Sequence, residues 1–252
     1  GAWDETFSLS EAQRARSFHK GLSGYKPTPL RRLDGLAGRL GLGGLYVKDE
    51  SLRFGLNAFK GLGGSYALGR VIAERMGKKP EELGDVPAGT FTFVTATDGN
   101  HGRGVAWAAK NLSQNAVVYM PKGSAKERLE NIRALGAQAE ITELNYDDTV
   151  RFAKEQADEN GWILVQDTAW EGYETIPSWI MQGYMTMALE AAEALGGRVP
   201  THIFLQAGVG AMAGAVTGFF SSFYGAQRPK IVITEPNRAA CLFKTAGAGD
   251  GA

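Results

Sequence analysis

The sequence is poor in the residues that most often announce a function. It holds one cysteine and three histidines in 252 residues, and neither charge is in excess, with Lys+Arg and Asp+Glu both at 27. The single Cys241 excludes an intrachain disulfide and fits a reducing compartment. The histidines are too scattered to show metal-ligand spacing. The charge balance removes any bulk electrostatic argument for nucleic acid or an anionic membrane as partner. No apolar run approaches the ~20 residues that span a bilayer. The opening "GAWDETFSLSEAQRAR" lacks the basic-then-apolar order of a secretory signal, so the expected location is cytoplasmic. What remains is 44% hydrophobic and 21% charged residues, the balance of an ordinary globular protein with a sizeable core.

Short β-branched runs alternate with helical patterns along the chain. "GLYVKDE", "TFTFVTAT", "NAVVYMP", "AEITEL", "WILVQDT", "THIFLQA" and "PKIVITEP" read as strands. Helices are expected over 60–76, 102–112, 124–135, 146–159, 177–195 and 210–223. This alternation predicts an α/β fold with a mostly parallel sheet. After "KIVITEP", the closing "KTAGAGDGA" reads as a flexible loop or as the cut end of a longer chain, and the second reading is favoured.

Ligands of such sheets bind beyond the carboxyl ends of the strands. That rule selects "VKDESLRFGLNAFKGLGGSY", "TATDGNHGRG", "VQDTAWEGY" and "LQAGVGAMAG". In the last, Gly208 and Gly210 precede a helix whose free N–H groups suit a phosphate. Gly208-x-Gly210-x-x-Ala213 also matches a dinucleotide fingerprint, with Glu235 as an acidic strand end, so a nicotinamide oxidoreductase is a rival reading. Simple close packing of helix on strand is a third. Lys60 stands among apolar residues and glycines at a helix start, a setting that predicts partial desolvation, a lowered pKa and a nucleophilic amine. The bland alternative is a solvated lysine near a helix end. "KDE" at 48–50 reads as a strand end exposing charge. His101 reads as a residue that orders its loop, Asp167 as a turn cap or a site residue, and Trp107, Trp170 and Trp179 as packing residues. A reactive lysine together with a glycine loop for one phosphate suggests pyridoxal 5′-phosphate.

Seven blocks in order, "YKPTPL", "VKDES.RFGLNAFK", "TDGNHGRGVAWAA", "YMPKGSA.ER", "NYDDTVR", "VQDTAWEGY..IP.WIMQGY" and "LQAGVGAMAG", extend the signal from about Ser17 to Glu235. On these blocks the sequence resembles the fold-type II pyridoxal-phosphate enzymes, the group of threonine deaminase and the tryptophan synthase β chain. Within that group it is most similar to the diaminopropionate ammonia-lyases. The resemblance implies two lobes, each a mostly parallel sheet flanked by helices. Residues 1–95 would form the N-terminal part of the large lobe and 96–198 the small lobe with its substrate loop. Residues 199–252 would return to the large lobe with the phosphate loop. The family runs longer at its C-terminus, so part of the large lobe would be absent from this sequence.

The same resemblance makes Lys60 the lysine that carries the cofactor. It makes Gly208, Val209, Gly210, Ala211 and Met212 the phosphate loop and Asn100 the contact to the cofactor 3′-oxygen. The stretch Thr97, Asp98, Gly99, Asn100 and His101 would hold the substrate carboxylate, and Asp167 would lie in the active site. It implies a homodimer acting on a small amino acid. Asp98 stands where relatives usually carry Ser or Thr. A substrate with a cationic β-ammonium accounts for it, as does a second base facing the substrate opposite Lys60. The implied reaction is elimination of ammonia from D- or L-2,3-diaminopropionate, with a serine/threonine-type dehydratase as the alternative.

Overall fold

A computed structural model describes residues 5–97 and 99–249. The N-terminal part contains α1 (Leu9–Lys20), β1 (Leu30–Arg32), α2 (Asp34–Arg39), β2 (Tyr46–Lys48) and α3 (Lys60–Met76). Next come β3 (Thr92–Ala96), α4 (Asn100–Asn111), β4 (Asn115–Met120), α5 (Lys126–Arg133), β5 (Gln138–Ile141), α6 (Tyr146–Asn160) and β6 (Ile163–Leu164). The remainder is α7 (Thr175–Ala194), β7 (His202–Gln206), α8 (Ala211–Tyr224), β8 (Lys230–Thr234) and α9 (Cys241–Ala248).

Four strands form one parallel sheet in the order β5-β4-β3-β6. Its central strands are apolar throughout because both faces are covered. Val94, Ala96, Val117, Tyr119 and Leu164 pack with Ala153 and Ala157 of α6 on one face. The alternate residues Phe93, Ala116, Val118, Met120 and Ile163 join the main core with α3, α4 and α7. The strands β7 and β8 pair in parallel in a separate sheet. The chain is therefore α/β with two parallel sheets flanked by helices, as expected. The pair β1–β2 departs from this pattern by running antiparallel.

Three details differ from the sequence-based expectation. The helix expected from 102 starts at Asn100, so Asn100 and His101 occupy its first turn. The closing segment is not a loop among the described residues, because α9 forms there. The Glu235 carboxylate accepts the N–H groups of Leu242 and Phe243, each at 2.9 Å. These contacts satisfy orphan donors near the helix start, so the acidic strand end of the dinucleotide reading caps a helix. The "KDE" segment does not expose all its charge. Lys48 is partly buried with its Nζ 2.5 Å from Glu190, and Glu50 hydrogen-bonds Arg53.

The glycines around Lys60 serve helix packing. The helix α3 lies between α4 and α7, and a Cβ on Gly104 of α4 would fall 2.8 Å from the backbone C and O of Lys60. A Cβ on Gly63 would fall 2.5 Å from Tyr184 Cε1, and one on Gly102 2.3 Å from Thr97 Cγ2. Because the obstacle at Gly104 is backbone, Gly104→Ala must move the first turn of α3. It is expected to cost about 1–3 kcal/mol, read as a lower denaturation midpoint at unchanged m-value.

Candidate active site

The strand β3 ends at Ala96 and delivers Thr97 and Gly99 to the head of α4. The Thr97 N–H bonds Tyr119 O at 3.0 Å, and Thr97 Oγ1 accepts the Gly99 N–H at 3.1 Å. Thr97, Gly99 and His101 are buried, whereas Asn100 is exposed. Asp98 lies outside the described residues. The strand β6 delivers Asp167 beside this loop, and Gln166 fixes the juxtaposition. Its amide Nε2 donates to Ala96 O at 3.0 Å, and its Oε1 accepts from Thr95 Oγ1 and the Ala96 N–H. The Tyr173 hydroxyl accepts the Gln166 N–H at 2.8 Å. The ends of two neighbouring strands are thereby tied by one buried side chain.

Lys60 opens α3 and reaches the same place. Its Nζ donates to Asp167 Oδ2 at 2.5 Å, with the two side chains 19% and 7% exposed. Phe59 and Tyr184 flank the ammonium, each ring centroid 5.8 Å from Nζ. His101 sits behind Asp167. Its Nε2 bonds Val165 O at 2.9 Å, and its Nδ1 lies 3.7 Å from Asp167 Oδ2. The structure thus brings Lys60, His101 and Asp167 together from three elements.

The electrostatics reverse one expectation. Burial does work to lower the Lys60 pKa, but Tyr184 and Asp167 outweigh it and hold the amine above its usual value. Tyr184 is itself pushed up by burial to about 12, so at neutral pH it carries no charge and the Asp167 carboxylate is the effective cause. For Asp167, burial opposes ionisation, yet His101 and Lys60 hold it at about 2. Burial lowers the His101 pKa and keeps that ring neutral, so the Lys60 charge carries the effect. The isolated amine expected from sequence is an ammonium in an ion pair, because a carboxylate 107 positions away in sequence folds onto it.

The glycine loop stands at the head of α8. Gly208 and Val209 are exposed, Gly210 adopts φ 97°, and Ala211 and Met212 begin the helix, buried. Only glycine takes that left-handed backbone without penalty. No side chain caps α8, so its first N–H groups and positive dipole end remain available to an anion. Gly214 meets Met181 of α7, which places α8 against the helix that carries Tyr184. Sequence reasoning did not single out Gln166, Tyr173 or Tyr184. A buried Gln between apolar strand residues and an acid was the available signal for the first, and the tyrosines had none.

The chain is similar to known proteins over almost its whole length. Diaminopropionate ammonia-lyase of Escherichia coli strain K12 is 52% identical over 257 residues, covering 99% of this chain and 65% of that protein. The Salmonella typhimurium enzyme of the same name is 54% identical over 93% of this chain and 61% of its own length. The crystal structure of the Escherichia coli enzyme in complex with an aminoacrylate-PLP azomethine reaction intermediate superposes with a TM-score of 0.93 at 52% identity, covering 99% of this chain and 65% of that one. The chain spans about two thirds of the length of these relatives. The family model for pyridoxal-phosphate dependent enzymes matches residues 22–251. With the parallel sheets, the part-buried lysine and the glycine-headed helix already placed, the chain belongs to the pyridoxal-phosphate-dependent enzymes of fold-type II.

Proposed function

We propose that the chain forms the reacting centre of a pyridoxal-phosphate-dependent ammonia-lyase that converts D- and L-2,3-diaminopropionate, with one water, to pyruvate and two ammonia. The observation that carries this reading is the part-buried Lys60–Asp167 pair, formed between the head of α3 and the segment after β6. The likeness to diaminopropionate ammonia-lyases over nearly the whole chain supplies the substrate class.

The residues present fit the cofactor. The uncapped head of α8 suits its single phosphate, held by the backbone of Gly208, Val209, Gly210, Ala211 and Met212. The Lys60 amine suits its aldehyde. A buried polar atom near that amine, His101 Nδ1, has no hydrogen-bond partner among the described residues, and a buried site that takes a polar guest leaves such an atom for it. Asn100, exposed at the head of α4, is available to the cofactor 3′-oxygen. When bound, pyridoxal phosphate supplies an electron sink that acidifies the α-proton of an attached amino acid.

The chain's own side chains then divide the work. Lys60 removes the α-proton of the L isomer and Asp98 that of the D isomer. Asp167 holds the departing β-amino group, and residues Thr97 to His101 hold the substrate carboxylate. The carboxylates proposed to act here, Asp98 and Asp167, favour a substrate that carries a β-ammonium over serine, whose β-hydroxyl is neutral. We further propose the lobe division 1–95, 96–198 and 199–252, a homodimeric assembly and a cytoplasmic location. In keeping with the last, no helix among the described residues is long and apolar enough to cross a membrane.

Pyruvate release from D- and L-diaminopropionate, compared with release from serine and threonine, tests the reading. Preference for the hydroxyamino acids would replace it with a dehydratase. For Asp98→Asn the expectation is a loss of about 10²-fold or more on the D isomer with a smaller loss on the L isomer. Equal losses would remove the division of labour.

A further inference from the structure

The backbone ladder between β3 and β6 gives way to a side chain just where the two strands reach the site. Val94 pairs with Leu164, and the Val165 N–H bonds Val94 O at 2.8 Å. In a parallel ladder the next rung would carry the Ala96 N–H to Val165 O and the Asp167 N–H to Ala96 O. Instead, Gln166 Oε1 accepts the Ala96 N–H at 3.2 Å and Gln166 Nε2 donates to Ala96 O at 3.0 Å. Thr95 Oγ1 donates to the same Oε1 at 3.0 Å, and the Tyr146 hydroxyl accepts from Nε2 at 3.1 Å. Gln166 is fully buried, and every donor and acceptor site of its amide is used. Because a backbone N–H only donates and a backbone O only accepts, Ala96 also fixes which way the amide faces.

The exchange frees two backbone groups, and the site uses both. Val165 O accepts from His101 Nε2 at 2.9 Å, and the Asp167 N–H faces the Asp167 carboxylate, where it favours the ionised form. On the outer side of β6 the Tyr173 hydroxyl accepts the Gln166 N–H at 2.8 Å and donates to Leu164 O at 3.0 Å, so the segment is held from both sides. The sheet order β5-β4-β3-β6 puts β4 and β5 on one side of β3 and β6 on the other, the reversal at which open α/β sheets form their ligand crevice. Thr97 and Gly99 stand on one lip of it and Asp167 on the other. We propose that Gln166 is a positioning residue that wedges this crevice open: its amide replaces one rung of the ladder, leaves Val165 O to His101 and directs the Asp167 carboxylate to the Lys60 amine. The wedge follows from the geometry, whereas the roles of the two lips in elimination rest on the proposed function.

Its physical basis is that a side-chain amide carries the same donor and acceptor as a peptide group. Directly paired strands lie about 4.8 Å apart, and an amide inserted between them satisfies both while holding their ends further apart. A glutamate in this place would set a carboxylate oxygen against Ala96 O, and two acceptors cannot bond. Without the amide, the buried N–H and C=O of Ala96 must find other partners, because leaving them unmade is penalised. The nearest are Val165 O and the Asp167 N–H, the groups of the missing rung. Closing that rung takes the acceptor of His101 and draws Asp167 away from Lys60.

Two readouts on the full chain, taken without cofactor or substrate, test the wedge. One is labelling with trace acetic anhydride, with acylation of Lys60 read by peptide mass against the exposed Lys126. The other is the His101 Nε2–H signal in the NMR spectrum of protein labelled at the histidine nitrogens. In Gln166→Ala the proposal expects Lys60, relieved of its carboxylate, to acylate on the order of tenfold faster at fixed pH. It expects the His101 signal to leave its hydrogen-bonded position, since Val165 O is taken by Ala96. A side chain that only fills space lowers Tm and moves neither readout, because both are taken well below Tm. Gln166→Leu keeps the volume without the amide, is expected to show both changes, and decides the outcome if the alanine variant does not fold. A folded variant in which either readout keeps its wild-type value overturns the proposal. Wild-type protein that releases no pyruvate from diaminopropionate removes the proposed elimination and leaves this inference to be decided by the two readouts.

Discussion

Lys60→Ala is expected to abolish the covalent capture of pyridoxal phosphate and to lower ammonia release by at least about 10³-fold, since the proposed function makes Lys60 both the attachment point and a base. Borohydride reduction followed by peptide mapping checks the first effect, and a pyruvate assay with each stereoisomer the second. The variant also leaves Asp167 buried without its cation. Asp167 is held at about 2 by its surroundings, so with Lys60 present the pair contributes stability above the ordinary carboxylate range and loses it as pH falls through about 2. Lys60, raised, contributes stability below its ordinary value and loses it only at higher, strongly alkaline pH. In Lys60→Ala the Asp167 carboxyl is expected to titrate at a higher pH, because the main opposing charge is gone and burial remains. A wild-type acid limb in the variant's stability–pH curve would contradict the assignment of Lys60 as the cause.

Glu190→Ala is expected to be the most destabilising single change, by about 3–5 kcal/mol. Glu190, 3% exposed on α7, accepts from Arg53 Nη1 and Nη2 at 3.0 and 2.7 Å, and from Lys48 Nζ at 2.5 Å. Tyr25 and the Thr28 N–H complete its shell at 2.9 and 3.2 Å. The Arg53 side chain has no exposed surface, so deleting Glu190 strands a guanidinium that cannot deprotonate, with Glu50 as its remaining carboxylate. The cluster ties the segment before β1, the strand β2 and the turn after it to α7, which also carries Tyr184. Burial works to raise the Glu190 pKa, but hydrogen bonds and charge from Arg53 and Lys48 lower it. Its stabilisation is therefore present above the ordinary carboxylate value and is lost as pH falls through the depressed one. Urea denaturation at neutral pH measures the effect. A loss below about 1 kcal/mol would mark the cluster as energetically balanced against its own desolvation.

Most of the fold was legible in the chain because the central strands are covered on both faces. Continuous runs such as "FTFVTA" and "NAVVYM" can only be buried parallel strands, and the helices between them supply the cover. The antiparallel β1–β2 pair was less legible, since three-residue strands with exposed positions carry almost no periodic signal. Within the site, Lys60, Asp167 and the Gly208–Met212 loop could each be chosen by residue type and position at strand or helix ends. Their mutual effects could not. Sequence neighbours predict a lowered Lys60 pKa because they make burial predictable, whereas the opposing carboxylate arrives from beyond β6, 107 residues along the chain.

The glycines show the same divide. Gly63, Gly64, Gly102 and Gly104 lie in the helices expected over 60–76 and 102–112, but what each packs against was not legible: Gly64 and Gly104 bring α3 and α4 together at backbone distance, Gly63 makes room for the Tyr184 ring of α7, and Gly102 makes room for Thr97 and Val118. Only the pairing of helices distinguishes a packing glycine from a binding one.

By itself the sequence determined the α/β class and the family, and it put forward candidate reactive groups, because those follow from local pattern and from side-chain chemistry carried in the residue itself. The tertiary structure alone decided the Lys60–Asp167 ion pair, the place of Tyr184 beside the Lys60 amine, the position of His101 behind Asp167 and the burial of Arg53 on Glu190. These are contacts between residues far apart in sequence. The physical reason is that charge state and hydrogen-bond satisfaction depend on distance and solvent exclusion, which exist only once the helices and sheets have packed.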